Sequence, residues 1–141
     1  MNTYVDSSVL LRVVLREPAR LAVWPKITTP VSSELIRLEC LRTIDRARIR
    51  VELDDESVAR QREAVLEMLE TFNLISVDQS VLDRAAEPFP TLLGSLDAIH
   101  LASAILARDQ FEGLALATHD DELALAARAM GFEVHGGGMT T

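Results

Sequence analysis

Short apolar runs alternate along this chain with longer stretches in which apolar residues return every three or four positions. Met1 to Val5 reads as a buried strand that ends at Asp6. Val9, Leu10, Leu11, Val13, Val14 and Leu15 then continue as an apolar helix, with Ser7 and Ser8 as its N-cap hydroxyls. Glu17-Pro18 interrupts that helix, and residues 19–25 predict a second short helix or turn. Pro30 to Ser33 predicts a brief strand, and Leu35, Leu38, Leu41 and Ile44 give the next helix an apolar stripe. Asp54-Asp55-Glu56 starts another helix, with its charge matched to the helix dipole, and Val58, Val65, Leu66, Met68 and Leu69 follow at helical spacing. Phe72 to Val77 reads as a strand, with a short helix through Ala86 after it and a loop at Pro88 and Pro90. Ser95 caps a helix over 96–109, Leu114 to Ala117 is a strand of small residues, and Asp120 opens a helix that Gly131 ends. Phe132 to Val134 reads as the last strand. The alternation predicts an α/β fold, a three-layer α/β/α sandwich with a mostly parallel sheet of about five strands. It forms one domain over 1–135, with 136–141 as a flexible tail.

Composition narrows the class. The 141 residues are 48% hydrophobic and 26% charged, as expected of a globular domain with one core. No apolar run reaches the ~18–20 residues of a membrane span, and no signal peptide precedes the first strand. The single cysteine, Cys40, permits no internal disulfide and fits a reducing cytoplasmic setting; it reads as a small core or interface residue. The net charge of −8 argues against non-specific binding to nucleic acid, although a local field can differ from the sum. Arg37, Arg42, Arg46, Arg48 and Arg50 cluster near Glu39. A solvated helix face and a phosphate-binding rim are both open readings of that cluster.

Candidate chemistry lies in four acidic residues where strands hand over to helices or helices lean over the sheet edge: Asp6, Glu39, Asp97 and Asp120. Asp97 interrupts a smooth apolar pattern in Gly94-Ser95-Leu96-Asp97-Ala98-Ile99-His100, and buried unpaired charge is expensive. Ligands collect at the carboxyl ends of strands in such sheets, so residues distant in sequence can converge there. Four carboxylates stay ionised together only with a counter-charge, and Mg²⁺ or another hard cation suits oxygen ligands. Thr118 is placed to hydrogen-bond a ligating carboxylate, and Ser7 is placed beside Asp6. His100 shares the face of Asp97 at i+3 and reads first as structural. Asp121 and Glu122 read as solvated first-turn acids. No phosphate loop or Gly-x-Gly-x-x-Gly follows the first strand, which excludes the usual nucleotide folds. A strand-Asp phosphatase is excluded because Ser8 stands where its second acid belongs and the only lysine is Lys26.

Taken in order, these segments resemble the PIN-domain family, and within it the VapC-type toxins of type II toxin–antitoxin pairs. Tyr4-Val5-Asp6-Ser7-Ser8 resembles the opening strand and first acid, and Ser32-Ser33-Glu34-Leu35 with Leu38-Glu39-Cys40-Leu41-Arg42 the second motif. Leu96-Asp97-Ala98-Ile99-His100-Leu101-Ala102 is the most specific match, and Thr118-His119-Asp120-Asp121-Glu122-Leu123 resembles the fourth. One departure is Asp121-Glu122, where many relatives carry an arginine before the leucine. The resemblance implies a Mg²⁺- or Mn²⁺-dependent endoribonuclease that cuts structured RNA, transfer or ribosomal, by attack of a metal-activated water. Asp6, Glu39, Asp97 and Asp120 would be both catalytic and metal-holding, and Arg42, Arg46 and Arg48 would meet RNA. A cognate antitoxin and a homodimer are the implied protein partners. The competing readings are a non-catalytic metal-binding interaction module, a small metal-dependent phosphohydrolase, and a DNA-directed nuclease of the same fold.

Overall fold

The computed structural model of the chain describes residues 1–16 and 21–137. Among these, five parallel strands alternate with six α-helices. They run β1 (Asn2–Val5), α1 (Ser7–Val14), β2 (Thr29–Ser33), α2 (Leu35–Arg50), α3 (Asp55–Leu69), β3 (Asn73–Ile75), α4 (Gln79–Ala86), α5 (Ser95–Ala107), β4 (Ala115–Thr118), α6 (Asp121–Ala129) and β5 (Val134–Gly136). A single 3₁₀ turn at Trp24–Lys26 takes the place of the short helix expected before Pro25. The expected interruption at Glu17-Pro18 lies outside the described residues.

The strand order is β3-β2-β1-β4-β5. From β1 the chain winds outward through β2 and β3, then returns to the other side of β1 for β4 and β5. The winding therefore reverses between β1 and β4, which leaves a crevice at their carboxyl ends. Register places Tyr4 beside Leu116 and Val5 beside Ala117. Alternation along the strands sends these pairs to opposite faces. Tyr4, Val31 and Leu116 pack with Leu101 and Ala104 of α5 and Leu123 and Ala127 of α6. Val5 and Ala117 pack with Val9 of α1. A third cluster joins α1, α2 and α3 through Leu10, Ile36, Cys40, Ile44, Val58, Val65 and Leu69. Burial of each large side chain there contributes about 1.5–3 kcal/mol.

Three local expectations are corrected. The buried stripe of α2 is Ile36, Cys40 and Ile44, while Leu38 is 58% exposed. Ser95 does not cap α5, since the N-cap is Gly94 without a side-chain bond. The last strand falls at Val134–Gly136 rather than 132–134, because Gly131 and the two residues after it complete the turn out of α6. Gly136 therefore belongs to the sheet and not to a tail; residues 138–141 lie outside the described residues. A side chain at Gly136 is impossible without rearrangement. Its φ is +100° and a Cβ would stand 2.0 Å from the Thr118 carbonyl oxygen.

Candidate functional site

Asp6 follows β1 and N-caps α1. Its backbone is extended, and its Oδ1 accepts the Val9 amide at 3.2 Å. The Ser8 hydroxyl donates to the same oxygen at 2.6 Å, and the Thr118 hydroxyl donates to Oδ2. Ser8, rather than Ser7, is thus the supporting serine. Ser8 Oγ in turn accepts the His119 amide at 2.9 Å, which ties β4 to α1. Asp6 is 5% exposed, and burial pushes its carboxyl above the usual range. The bonds from Ser8, Thr118 and the Val9 amide pull the other way.

Asp120 N-caps α6, accepting the Glu122 amide at 2.9 Å and the Leu123 amide at 3.1 Å. Its own amide donates to Thr118 Oγ1 at 2.9 Å. Thr118 is therefore a hinge between the two acids: it accepts from Asp120 and donates to Asp6. Asp121 and Glu122 lie exposed in the first turn of α6, as expected.

Asp97 stands in the first turn of α5, half-buried. Its carboxyl is pushed up to about 6, first by burial, then by the negative charges of Asp120, Asp6 and Glu39; His100 acts in the opposite direction. Asp97 thus feels the charge of the other three acids, delivered by β1, α2 and β4, across the β1–β4 crevice. Glu39 reaches this cluster from the flank of the Ile36–Cys40–Ile44 stripe, with its side chain 18% exposed. Its Oε1 bonds His100 Nε2. On the far side of the ring, His100 Nδ1 is 2.8 Å from Tyr4 Oη, and Tyr4 Oη accepts the Ser33 amide at 3.1 Å. This buried relay was not foreseen. The signal for it was the placement of His100 three residues after Asp97, on the inward face of α5.

Among the described residues no three His, Cys, Asp or Glu side chains stand close enough to enclose an ion directly. The donor set still fits a hard cation. Mg²⁺ retains several waters and takes only one or two protein carboxylates directly, and the mutual repulsion felt at Asp97 is what such a charge relieves.

The arginines of α2 lie on its exposed face. Arg42 pairs with Asp45 at 3.1 Å, Arg48 lies 3.9 Å from both Asp45 and Asp55, and Arg46 donates to Thr43 at 3.3 Å. Cys40 is buried behind Glu39, and burial pushes its thiol up to about 12, which makes it inert.

Comparison with known proteins agrees with this architecture. A family model described as the PIN domain matches residues 3–129. Ribonuclease VapC46 of Mycobacterium tuberculosis is 36% identical over 134 residues, covering 93% of this chain and 94% of that protein. Ribonuclease VapC47 of the same species is 29% identical over 136 residues, covering 92% of each. Among solved structures, VapBC2 from Rickettsia felis, bound to a DNA fragment from its promoter, superposes with a TM-score of 0.66 at 11% identity, covering 96% of this chain and 98% of that one. A toxin–antitoxin complex from Klebsiella pneumoniae gives 0.60 at 19% identity, with 91% and 94% covered. With four acids at the strand ends of a five-stranded parallel sheet and a family match spanning nearly the whole sequence, the chain belongs to the PIN domain family, among its VapC-type ribonucleases.

Proposed function

We propose that this protein is the toxin of a toxin–antitoxin pair, a Mg²⁺-dependent endoribonuclease that cleaves structured RNA such as transfer or ribosomal RNA. The observation that carries the reading is the electrostatic convergence of Asp6, Glu39, Asp97 and Asp120 at the β1–β4 crevice. A bound divalent cation, Mg²⁺ or Mn²⁺, supplies there a counter-charge for the scissile phosphate and a lowered pKa for water. The chain's own residues do the rest. Ser8, Thr118 and the Val9 amide hold the Asp6 carboxylate in one orientation. The α6 amides do the same for Asp120, and His100 for Glu39. Asp97 has no such donor among the described residues, and burial and the other three acids push its carboxyl up to about 6.

Arg42 and Arg46 lie three and seven residues beyond Glu39 and so continue its side of α2. Exposed ion pairs such as Arg42–Asp45 are worth about 0–1 kcal/mol, so the guanidinium can exchange its partner for a phosphate at little cost. A rim of this kind gives a protein of net charge −8 a local path to RNA. The solved toxin–antitoxin structures, with their shared fold, support a cognate antitoxin as partner, and the homodimer expected from the family resemblance is tested by sedimentation. No helix among the described residues is long and apolar enough to cross a membrane. A cytoplasmic setting follows from the substrate.

The test is incubation of the purified protein with total cellular RNA, with Mg²⁺ or with EDTA, beside Asp97→Asn. A discrete product that needs both the metal and Asp97 is expected. Full activity of Asp97→Asn, or no product from folded, antitoxin-free protein, would overturn the reading.

A further inference from the structure

His100 is not explained by packing alone. It is 1% exposed and its ring meets Tyr4 edge-on, with centroids 5.9 Å apart at 76°. Both ring nitrogens are engaged, Nδ1 by Tyr4 and Nε2 by Glu39. A polar ring that serves only the core has no need to end on a carboxylate at the edge of an acidic cluster.

The direction of the relay follows from its far end. The Ser33 amide, fixed at the end of β2, donates to Tyr4 Oη at 3.1 Å. The Tyr4 hydroxyl therefore keeps its own proton to give. Ser32 and Ser103 also adjoin that hydroxyl, but each donates its proton to a backbone carbonyl, Ser32 to Val5 at 2.6 Å and Ser103 to Ile99 at 2.8 Å. The imidazole nitrogen is the stronger acceptor, so the Tyr4 proton goes to Nδ1, 2.8 Å away. A neutral ring that accepts at Nδ1 must carry its proton at Nε2, and that proton points at Glu39 Oε1. The chain Ser33 N–H, Tyr4 O–H, His100 Nδ1, Nε2–H, Glu39 has one polarity throughout. It is anchored in the backbone of the sheet and engages Glu39 through Oε1, leaving Oε2 outside the relay.

We infer that Tyr4 and His100 are positioning residues, a sheet-anchored relay that fixes the tautomer of His100 and thereby holds Glu39 in its metal-holding orientation. The inference rests on the proposed metal-dependent nuclease reading and adds to it a part that no acid of the quartet supplies. Outer-shell partners of this kind change metal affinity or activity by about 10–100-fold. Both side chains are buried, out of reach of a docked RNA, so the effect falls on metal binding and kcat and not on the KM for RNA.

The experiment measures Mn²⁺ binding by calorimetry and RNA cleavage for the wild-type protein, Tyr4→Phe, His100→Gln and Asp97→Asn. Tyr4→Phe keeps the ring and its packing while removing the hydroxyl. Expected for Tyr4→Phe and His100→Gln are Mn²⁺ affinity and kcat about 10–100-fold lower, KM for RNA unchanged, and partial rescue of kcat by excess Mn²⁺. Wild-type affinity and kcat in both folded variants, with Asp97→Asn impaired, would overturn the positioning role and leave the quartet standing. Full binding and activity in Asp97→Asn would instead sink the quartet itself. The ring ¹⁵N shifts of wild-type His100 give a check that needs no variant: protonated Nε2 and bare Nδ1 are expected, and the opposite tautomer would refute the relay.

Discussion

Asp97→Asn should stabilise the metal-free protein at neutral pH while it abolishes cleavage. The carboxyl is raised from 3.8 to about 6 by burial and by three neighbouring negative charges. Each unit is worth about 1.4 kcal/mol, so a rise of about two units sets a ceiling near ~3 kcal/mol on what the ionised form costs the fold. Asp97 is only half-buried, and solvent screening reduces that to about 1–2 kcal/mol. Asparagine also gives up a favourable charge in the first turn of α5, about 0.3–1 kcal/mol. The net gain is therefore about 1 kcal/mol, or a Tm higher by about 3–4 °C in a domain of this size. The sign of the pH dependence is fixed. A carboxyl whose folded pKa lies above its unfolded value destabilises the fold as pH rises from 3.8 through about 6, and costs nothing below both. The advantage of Asp97→Asn should be full above pH 7, shrink between pH 6 and 4, and reverse in sign or vanish below that. Calorimetric melts in EDTA at pH 7.5 and at pH 4.5 measure it. A variant that melts below the wild type at pH 7.5, or by the same margin at both pH values, would refute the repulsion argument. Mn²⁺ should raise the Tm of the wild type and not that of the variant.

Ser8→Ala should cost about 1–3 kcal/mol, since it removes a donor to the buried Asp6 carboxyl and the acceptor of the His119 amide, while Ser7→Ala should cost about 0.5 kcal/mol or less; equal effects in urea melts would contradict the assignment of Ser8. Gly136→Ala should destabilise by about 2 kcal/mol or more, because φ of +100° and a 2.0 Å approach to the Thr118 carbonyl must both be relieved; a neutral melt would mean β5 yields without cost. Ile36→Ala should cost about 2–5 kcal/mol and Leu38→Ala under about 1 kcal/mol, the reverse of what the sequence stripe implies. Thr118→Val should keep the volume yet lower kcat for RNA about tenfold, since Asp6 loses a donor and the Asp120 amide its acceptor; unchanged kcat would make Thr118 a packing residue only.

The layout of this fold was legible because its signals are local. The strand-to-helix transitions at Asp6 and Asp120 carry cap chemistry as well as charge, and both residues cap the helices that follow them. Asp97 was visible as a charge in an apolar helix. On α2 the sequence points to the wrong face: Leu38 belongs to the expected apolar stripe and is exposed, while Glu39 flanks a stripe at Ile36, Cys40 and Ile44. With apolar residues at 35, 36, 38, 40, 41 and 44, several stripes fit the helical period, and only packing against Leu10 and Val65 selects one. Gly136 was illegible for a different reason. A glycine run looks like a loose end unless the strand it must pass is known, and the Thr118 carbonyl lies eighteen residues away. The Tyr4–His100–Glu39 relay joins β1, α5 and α2, so no single window of sequence contains it.

The support around the four acids is unequal, and the inequality has a chemical consequence. Asp6 has three donors, Asp120 two amides and Glu39 one imidazole, so much of their negative charge is compensated by the fold before any ligand arrives. Asp97 has no such donor among the described residues; burial raises its carboxyl as it raises that of Asp6, and at Asp97 the repulsion of Asp120, Asp6 and Glu39 adds to it with no donor bond to offset it. If the proposed cation binds here, donors preorganised on three acids would fix where it sits, because their oxygens cannot turn away to find other partners. The fourth acid would fix how much free energy that binding releases, since the repulsion at Asp97 is relieved by positive charge. A site with four well-bonded carboxylates would be more stable when empty and would bind a cation less tightly. A site with four bare ones would bind without defined geometry. In the proposed metal site, the division between Asp97 and the other three would let this small sheet edge hold a geometry and still gain from taking up a cation.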